Sequence, residues 1–230
     1  KIRADYNNHD FDNDGLLDGE EYYGWLDLED NLHFTDLKVQ DSDKDGVNDW
    51  YEGRENNITR SITDPNNNDT DSDGILDGCE IYGLDDCDNY LTNPLSEDTD
   101  GDGLSDYDEI FAYDLEPSRY RSDPTRMDTD SDGMPDPYEL ENGLHPKIKS
   151  DGSKDSDCDG ILVQVQNFDC ILLSVNSKRF TNYQEYLMNT DPNNQDSDSD
   201  GMSDGWEFYS GLNPIEQDGH LDLDNDTISN

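Results

Sequence analysis

Apolar residues in this chain fall in small, spaced groups separated by polar stretches, such as Ile75 with Ile81 and Tyr82, or Met202 with Phe208 and Tyr209. Each group brackets a glutamate, and one or two helical turns are predicted after that residue, as over Glu139–Gly143 and Glu207–Gly211. There a glycine supplies the left-handed cap and a proline lies three residues beyond. Helices this short do not stand alone in water, so each group predicts a small packing cluster rather than a ligand site. The longest apolar runs, Ile161-Leu162-Val163 and Ile171-Leu172-Leu173, fall far short of the ~18 residues of a membrane span. They sit in Ile161–Gln166 and Cys170–Val175 around a turn at Asn167-Phe168-Asp169, which has the punctuation of a β-hairpin.

The polar positions carry the stronger pattern. The twelve-residue motif DxDxDGxxDxxE recurs along nearly the whole chain, with starts at Asp10, Asp41, Asp69, Asp98, Asp128, Asp155, Asp196 and Asp222. The unit is near 30 residues, which predicts a solenoid-like array rather than one large domain. The copy opening at Asp155 is interrupted: removing Ile161–Arg179 would join Gly160 to Phe180 and restore the spacing, with Asn182 at position 9. The copy at Asp222 has Thr227 in the glycine place and stops unfinished at Asn230, so a longer natural chain is expected. A start at Lys1 without methionine implies processing or truncation. Spacers repeat as well, in Thr63-Asp64-Pro65, Thr92-Asn93-Pro94, Ser122-Asp123-Pro124, Thr190-Asp191-Pro192 and Leu212-Asn213-Pro214. The organisation expected is the edge of a preceding repeat over 1–9, five repeats over 10–154, an interrupted repeat over 155–195 with its insertion at 161–179, and an intact plus a truncated repeat over 196–230.

Composition changes what such an array can be. Only 30% of the 230 residues are apolar, and 59 Asp and Glu face 14 Lys and Arg, for a formal charge of −45. A chain this polar and self-repelling cannot offset the entropy of folding without added positive charge. Nucleic acid and anionic membrane are excluded as partners because both require basic patches. Cations remain.

A hard divalent cation takes six to eight oxygens at about 2.3–2.6 Å, and Asp at positions 1, 3 and 5 can turn carboxylates around one point. Glycine at 6 permits the bend, position 7 offers its carbonyl, position 9 binds directly or through water, and Glu at 12 closes the shell. The first three loops supply Asp10, Asp12, Asp14, Leu16, Asp18 and Glu21; then Asp41, Asp43, Asp45, Val47, Asp49 and Glu52; then Asp69, Asp71, Asp73, Ile75, Asp77 and Glu80. The next two supply Asp98, Asp100, Asp102, Leu104, Asp106 and Glu109, and Asp128, Asp130, Asp132, Met134, Asp136 and Glu139. The interrupted copy gives Asp155, Asp157, Asp159, Asn182 and Glu185; the intact one after it gives Asp196, Asp198, Asp200, Met202, Asp204 and Glu207; the truncated one gives Asp222, Asp224 and Asp226.

The plainer reading makes these stretches turns and the DxxE segments helix caps, as at Asp136-Pro137-Tyr138-Glu139. Capping leaves the triple carboxylates unexplained, because like charges about 4 Å apart repel by roughly 4 kcal/mol at an effective dielectric near 20. All-oxygen donors favour calcium, whereas zinc or copper would recruit His or Cys, and His9, His33, His145 and His220 fit no ligand spacing. Seven divalent ions, with 14 positive charges, would bring −45 only to −31, so further ions at the spacer carboxylates are expected.

With Asn93-Pro94-Leu95-Ser96-Glu97-Asp98-Thr99-Asp100-Gly101-Asp102-Gly103-Leu104-Ser105-Asp106 as its clearest segment, the chain resembles the thrombospondin type 3 calcium-binding repeats of microbial surface proteins. The resemblance covers most of Asp10–Asn230. It implies an extended, calcium-wrapped extracellular stalk with the Asp residues as ligands and no enzymatic activity. Asn182 at position 9, Thr227 in the glycine place, the 161–179 insertion and the long 22–40 spacer depart from the pattern.

Four cysteines allow three pairings, of which Cys79 with Cys87 and Cys158 with Cys170 are the most economical, and two disulfides suit a secreted, core-poor chain. Sequons at Asn57, Asn68 and Asn225 permit N-glycans, with Asn57 in a spacer and the other two beside or within loops. The fold expected is a calcium-stabilised tandem-repeat rod, mostly irregular loops with short helices, little sheet and one inserted β-hairpin that docks on a neighbouring repeat or another copy. The function expected is a calcium-binding extracellular structural protein, a stiff stalk or the subunit of a filament that self-associates head to tail. A calcium-dependent adhesin, or the spacer of a larger surface protein or enzyme, is the alternative. An intracellular sensor would need long paired helices and a Met-rich groove, against four Met here. No catalytic constellation assembles without arbitrary choices, so the residues read as non-enzymatic.

Overall fold

A computed structural model of the protein describes residues 9–53, 62–83, 89–115, 120–160 and 179–221, with backbone alone for 112–115. These residues are mostly loop, with several short helices and one two-stranded antiparallel sheet. The chain divides into two compact units, Lys1–Met127 and Asp128–Asn230. No helix among the described residues is long and apolar enough to cross a membrane. The expected hairpin at 161–179 lies outside the described residues but for Arg179.

Each helix starts at position 9 of a loop. In the first unit these are α1 (Asp18–Tyr23), α2 (Asp49–Glu52), α3 (Asp77–Tyr82) and α4 (Asp106–Leu115). In the second they are α5 (Asp136–Glu141), α6 (Asn182–Met188) and α7 (Asp204–Ser210). The start is fixed by one backbone bond: the position 9 N–H donates to the carbonyl just before the loop, as Asp77 to Asn68 at 3.1 Å and Asp204 to Gln195 at 3.0 Å. Asn182 donates to Lys154 in the same way, at 2.9 Å. Gly83, Asn189 and Gly211 end α3, α6 and α7 in the left-handed conformation that lacks a penalty for glycine and is mild for asparagine.

Two sequence expectations change here. Asp136 does not cap α5: it lies inside the first turn, and its carboxylate turns back to Thr129. Capping falls instead to position 8 where that residue is polar, with Asn48, Ser105, Thr181 and Ser203 accepting amide bonds from the first turn. The apolar clusters also join loops rather than closing within one. Ile75 packs with Cys79 and with Ile110 of the next helix, flanked by Tyr90, Tyr107 and Phe111, while Tyr82 is 41% exposed.

Contacts between successive loops take two forms. In one, the aromatic residue at position 10 lies over the position 6 glycine of the loop before, as Trp50 over Gly15, Tyr107 over Gly74 and Tyr183 over Gly133. In the other, position 10 is itself glycine and its backbone meets a carbonyl: a Cβ added at Gly78 would lie 2.2 Å from Asp45 O. The long 22–40 spacer holds the sheet, β1 (Trp25–Leu26) paired with β2 (Leu32–His33) in the register Trp25 to His33, an element the sequence reading did not anticipate. Trp25 packs where Gly53 leaves room. Replacing Gly78 by Ala is expected to lower stability by about 1–3 kcal/mol, the usual effect of forcing an atom into a packed contact. Denaturant unfolding in calcium measures it, and an unchanged midpoint would contradict the packing described.

Candidate metal centres

Loop geometry follows from how each Asp uses its two oxygens. Position 1 is spent on the backbone: in the loop opening at Asp69, Oδ1 accepts from Ser72 N–H at 2.8 Å and Oδ2 from Gly74 N–H at 3.1 Å. Position 3 accepts from position 5 through Oδ1, and position 5 accepts from position 7, as Ile75 N–H to Asp73 Oδ1 at 2.7 Å. The same bonds recur at Asp41, Asp43 and Asp45 and at Asp98, Asp100 and Asp102. Asp128, Asp130 and Asp132 repeat them. To aim these amides inward, position 4 adopts positive φ (Lys44, Ser72, Ser131, Ser199) and so does the position 6 glycine.

Position 9 faces away from its own loop's centre. Asp77 accepts from Thr70 N–H at 2.8 Å and from the Thr70 hydroxyl at 2.6 Å, and Asp49, Asp106, Asp136 and Asp204 do the same with Ser42, Thr99, Thr129 and Ser197. Asp18 instead accepts from Phe11 N–H through Oδ1 and has His9 Nδ1 3.3 Å from Oδ2, and Asn182 Oδ1 accepts from Ser156 N–H at 3.1 Å. The structure thus brings Asn182 and Glu185 to Asp155, Asp157 and Asp159 across the interruption. The spacer Thr has a role as well: Thr63 and Thr92 donate to Oε1 of Glu52 and Glu80, at 3.2 and 2.9 Å. The next spacer residue ties forward, with Asp64 N–H donating to Thr70 and Asn93 N–H to Thr99.

Inward-facing oxygens remain. Oδ2 of Asp12, Asp43, Asp71, Asp130, Asp157 and Asp198 at position 3, and Oδ2 of Asp14, Asp45 and Asp73 at position 5, are buried and accept no hydrogen bond from the protein. So are one oxygen of Glu21, Glu52 and Glu80 and both oxygens of Glu139, Glu185 and Glu207, residues no more than 1% exposed. Burying an ionised carboxylate without a partner is costly, and the same orphaned oxygens recur at the same positions of loop after loop. A cation fits them: oxygens of Asp10, Asp12 and Asp14, or of Asp41, Asp43 and Asp45, lie within 4.8 Å of one another.

Further clusters link a loop to the next. Asp14 and Glu21 meet Asp49, and Asp45 and Glu52 meet Asp77, each within 4.8 Å, so the position 9 carboxylate closes the site of the loop before it. In the second unit Asp151 takes this place beside Asp130, Asp132 and Glu139, and Gly152 N–H donates to Asp132 Oδ2 at 3.1 Å. Gly219 N–H donates likewise to Asp200 Oδ2. Sequence reading missed Asp151 and Asp218, which lie in spacers; their signal is the Asp-Gly dipeptide, which copies positions 9 and 10 of a loop.

With protein atoms alone, burial and then neighbouring carboxylates push the closing Glu residues up, Glu21 and Glu207 to about 8, Glu80, Glu139 and Glu185 to about 9 and Glu52 to about 10. Burial and Asp45 raise Asp43 to about 7. These clusters must be neutralised by protons or by a cation.

Asp222, Asp224, Asp226, Asn225, Asn57, Cys87 and Cys170 lie outside the described residues. Cys79 and Cys158 are both disulfide-bonded. Asn68 is exposed, but the Thr70 hydroxyl of its sequon is bonded to Asp77. Comparison with known proteins finds no matching family model, no matching curated protein and no matching solved structure.

A carboxylate raised in the fold holds a proton that the unfolded chain releases above its ordinary value of about 4.5, so the chelated fold loses stability as pH rises from there toward about 9. Cation binding needs the ionised form and strengthens over the same window. Thermal unfolding in chelator is therefore expected to shift to lower temperature from pH 5 upward until little folded chain remains near neutral pH, and the stabilisation produced by calcium to grow. Asp151→Asn is expected to weaken ion binding at the fifth loop by tenfold or more while the ions of the first unit are unaffected, as calorimetric titration would resolve.

Proposed function

We propose that this chain is a calcium-binding extracellular structural protein, whose loops are stiffened by ions into a stalk or into the repeating subunit of a filament. The observation that supports it most is the set of buried, unpartnered carboxylate oxygens at positions 3, 5 and 12. Calcium is the cation of choice because the clusters at the loops named above are all carboxylate, and magnesium prefers fewer protein ligands and more water. The resemblance to thrombospondin type 3 repeats agrees with it, and the disulfides at Cys79 and Cys158 suit an oxidising compartment. Ion binding is the biochemical activity, without an enzymatic step. In this reading tandem repeats join head to tail, and a contact whose rotation does not close builds a fibre.

A calcium-dependent adhesin, or the spacer of a larger surface protein or enzyme, is the second reading. The exposed apolar side chains Tyr22, Tyr23, Leu28 and Phe34 favour it, because they offer a surface for attachment.

Chelator is expected to abolish most of the circular dichroism signal and to dissolve any fibre seen by electron microscopy, with recovery on adding calcium. Native mass spectrometry is expected to count at least one ion per complete loop. Secondary structure that persists unchanged in chelator at neutral pH would refute the proposal.

A further inference from the structure

The sheet in the 22–40 spacer builds a site unlike the loops. Asp27, directly after β1, is buried and its carboxylate is saturated with donors: Oδ1 accepts from Glu29 N–H at 2.8 Å and Asn31 N–H at 2.9 Å, and Oδ2 accepts from the Asn31 side chain at 3.0 Å. His33, the last residue of β2, places Nε2 2.8 Å from the same Oδ2. Burial alone would raise the Asp27 carboxyl, but the bonds from His33, Asn31 and Glu29 outweigh it and hold it at about 2. An ionised carboxylate only accepts, so the donor of the 2.8 Å contact is the His33 Nε2–H.

The other ring nitrogen, Nδ1, is turned away from Asp27. It faces Asp64 Oδ1 at 3.4 Å, and the His33 side chain is only 10% exposed. A proton or a metal ion must lie between the two atoms. The separation is long for a charge-assisted hydrogen bond, which runs about 2.7–2.9 Å. It matches two ligands on one tetrahedral ion, since bonds of about 2.0–2.1 Å at the tetrahedral angle put the ligand atoms about 3.4 Å apart. A cavity of about 650 Å³ opens beside the pair, lined also by Glu29, Asn31, Asn66 and Thr70, so further oxygen ligands and water have room.

The surroundings hold the pair in place. The ring rests on the Trp25 indole, with centroids 5.2 Å apart. Asp64 is positioned by the ion loops on either side, because Thr63 bonds Glu52 of the second loop and Asp64 N–H bonds Thr70 of the third. A carboxylate behind an imidazole that faces an ion is the usual means of fixing the tautomer and raising ligand basicity.

We propose that His33 and Asp64 are the protein ligands of a mixed nitrogen and oxygen site for a borderline divalent cation of the zinc or cobalt type, with Asp27 as the positioning residue behind the imidazole. The site goes beyond the calcium reading and rests on different residues. An imidazole donor selects such cations over calcium, which takes oxygen.

The experiment titrates the full chain with cobalt(II) in excess calcium, so that the loops stay filled. One cobalt per chain is expected to give the intense visible absorption of a low-coordinate nitrogen-bound ion, displaced by zinc, whereas cobalt in all-oxygen six-coordinate surroundings absorbs weakly. His33→Gln and Asp64→Asn should each weaken this binding tenfold or more while circular dichroism and the calcium count stay unchanged. Zinc should also move the nitrogen-15 resonances of His33. Absence of the intense bands in the parent chain, or bands undiminished in either folded variant, would overturn the proposal. If His33→Gln fails to fold, Asp64→Asn, at a half-exposed side chain, decides alone. A site that fails this test with calcium still bound leaves the calcium proposal standing, so the two are separable.

Discussion

The rest of the structure depends on a division of labour within the aspartates at loop positions 3 and 5. In Asp43, Asp45, Asp71 and Asp73, Oδ1 is held by a backbone N–H of the same loop and Oδ2 is turned to the inside, where it accepts no hydrogen bond. Glu139, Glu185 and Glu207 go further and bury both oxygens in this way. Concentrated, buried negative charge is the least favourable thing a chain can put at its centre, and it is tolerated only with compensating positive charge. The short helices, the left-handed residues at positions 4 and 6 and the hydroxyls at position 2 all keep those oxygens converging on one point.

Coupling between loops follows from the same economy of groups. Position 5 serves its own loop and also meets the position 9 carboxylate of the next, as Asp45 does with Asp77, while the spacer Thr63 reaches back to Glu52 and Asp64 reaches forward to Thr70. Apolar contacts obey the same order, with Ile75 against Ile110 and Trp50 over Gly15. Within each unit a loop is therefore held by its neighbours in sequence, the pattern from which nearest-neighbour stability arises in arrays.

His33 stands apart from this scheme. The loops contain only hard oxygen donors, whereas the β1–β2 sheet pins an imidazole between two carboxylates and beside a cavity. The spacer that departs most from the regular length is the one that carries this imidazole.

Much of the candidate site was legible in the amino-acid sequence, because a ligand loop is local: twelve consecutive residues decide which carboxylates can converge, and glycine at position 6 decides where the bend falls. The register of the interrupted loop could be read in the same way, with Asn182 and Glu185 supplying what Gly160 leaves unfinished. The role of position 9 could not, since spacing alone does not say whether a carboxylate turns to its own loop or to the one before. Asp151 and the pair His33 and Asp64 were hidden for the same reason. By itself the sequence determined that buried charge, not apolar surface, would organise this protein, because composition and local spacing leave no other means of folding it. Only the tertiary structure decided which carboxylates meet across loops and which histidine faces one, because those contacts join residues 20 to 40 positions apart, as Asp132 to Gly152 and His33 to Asp64, and depend on how the spacers fold.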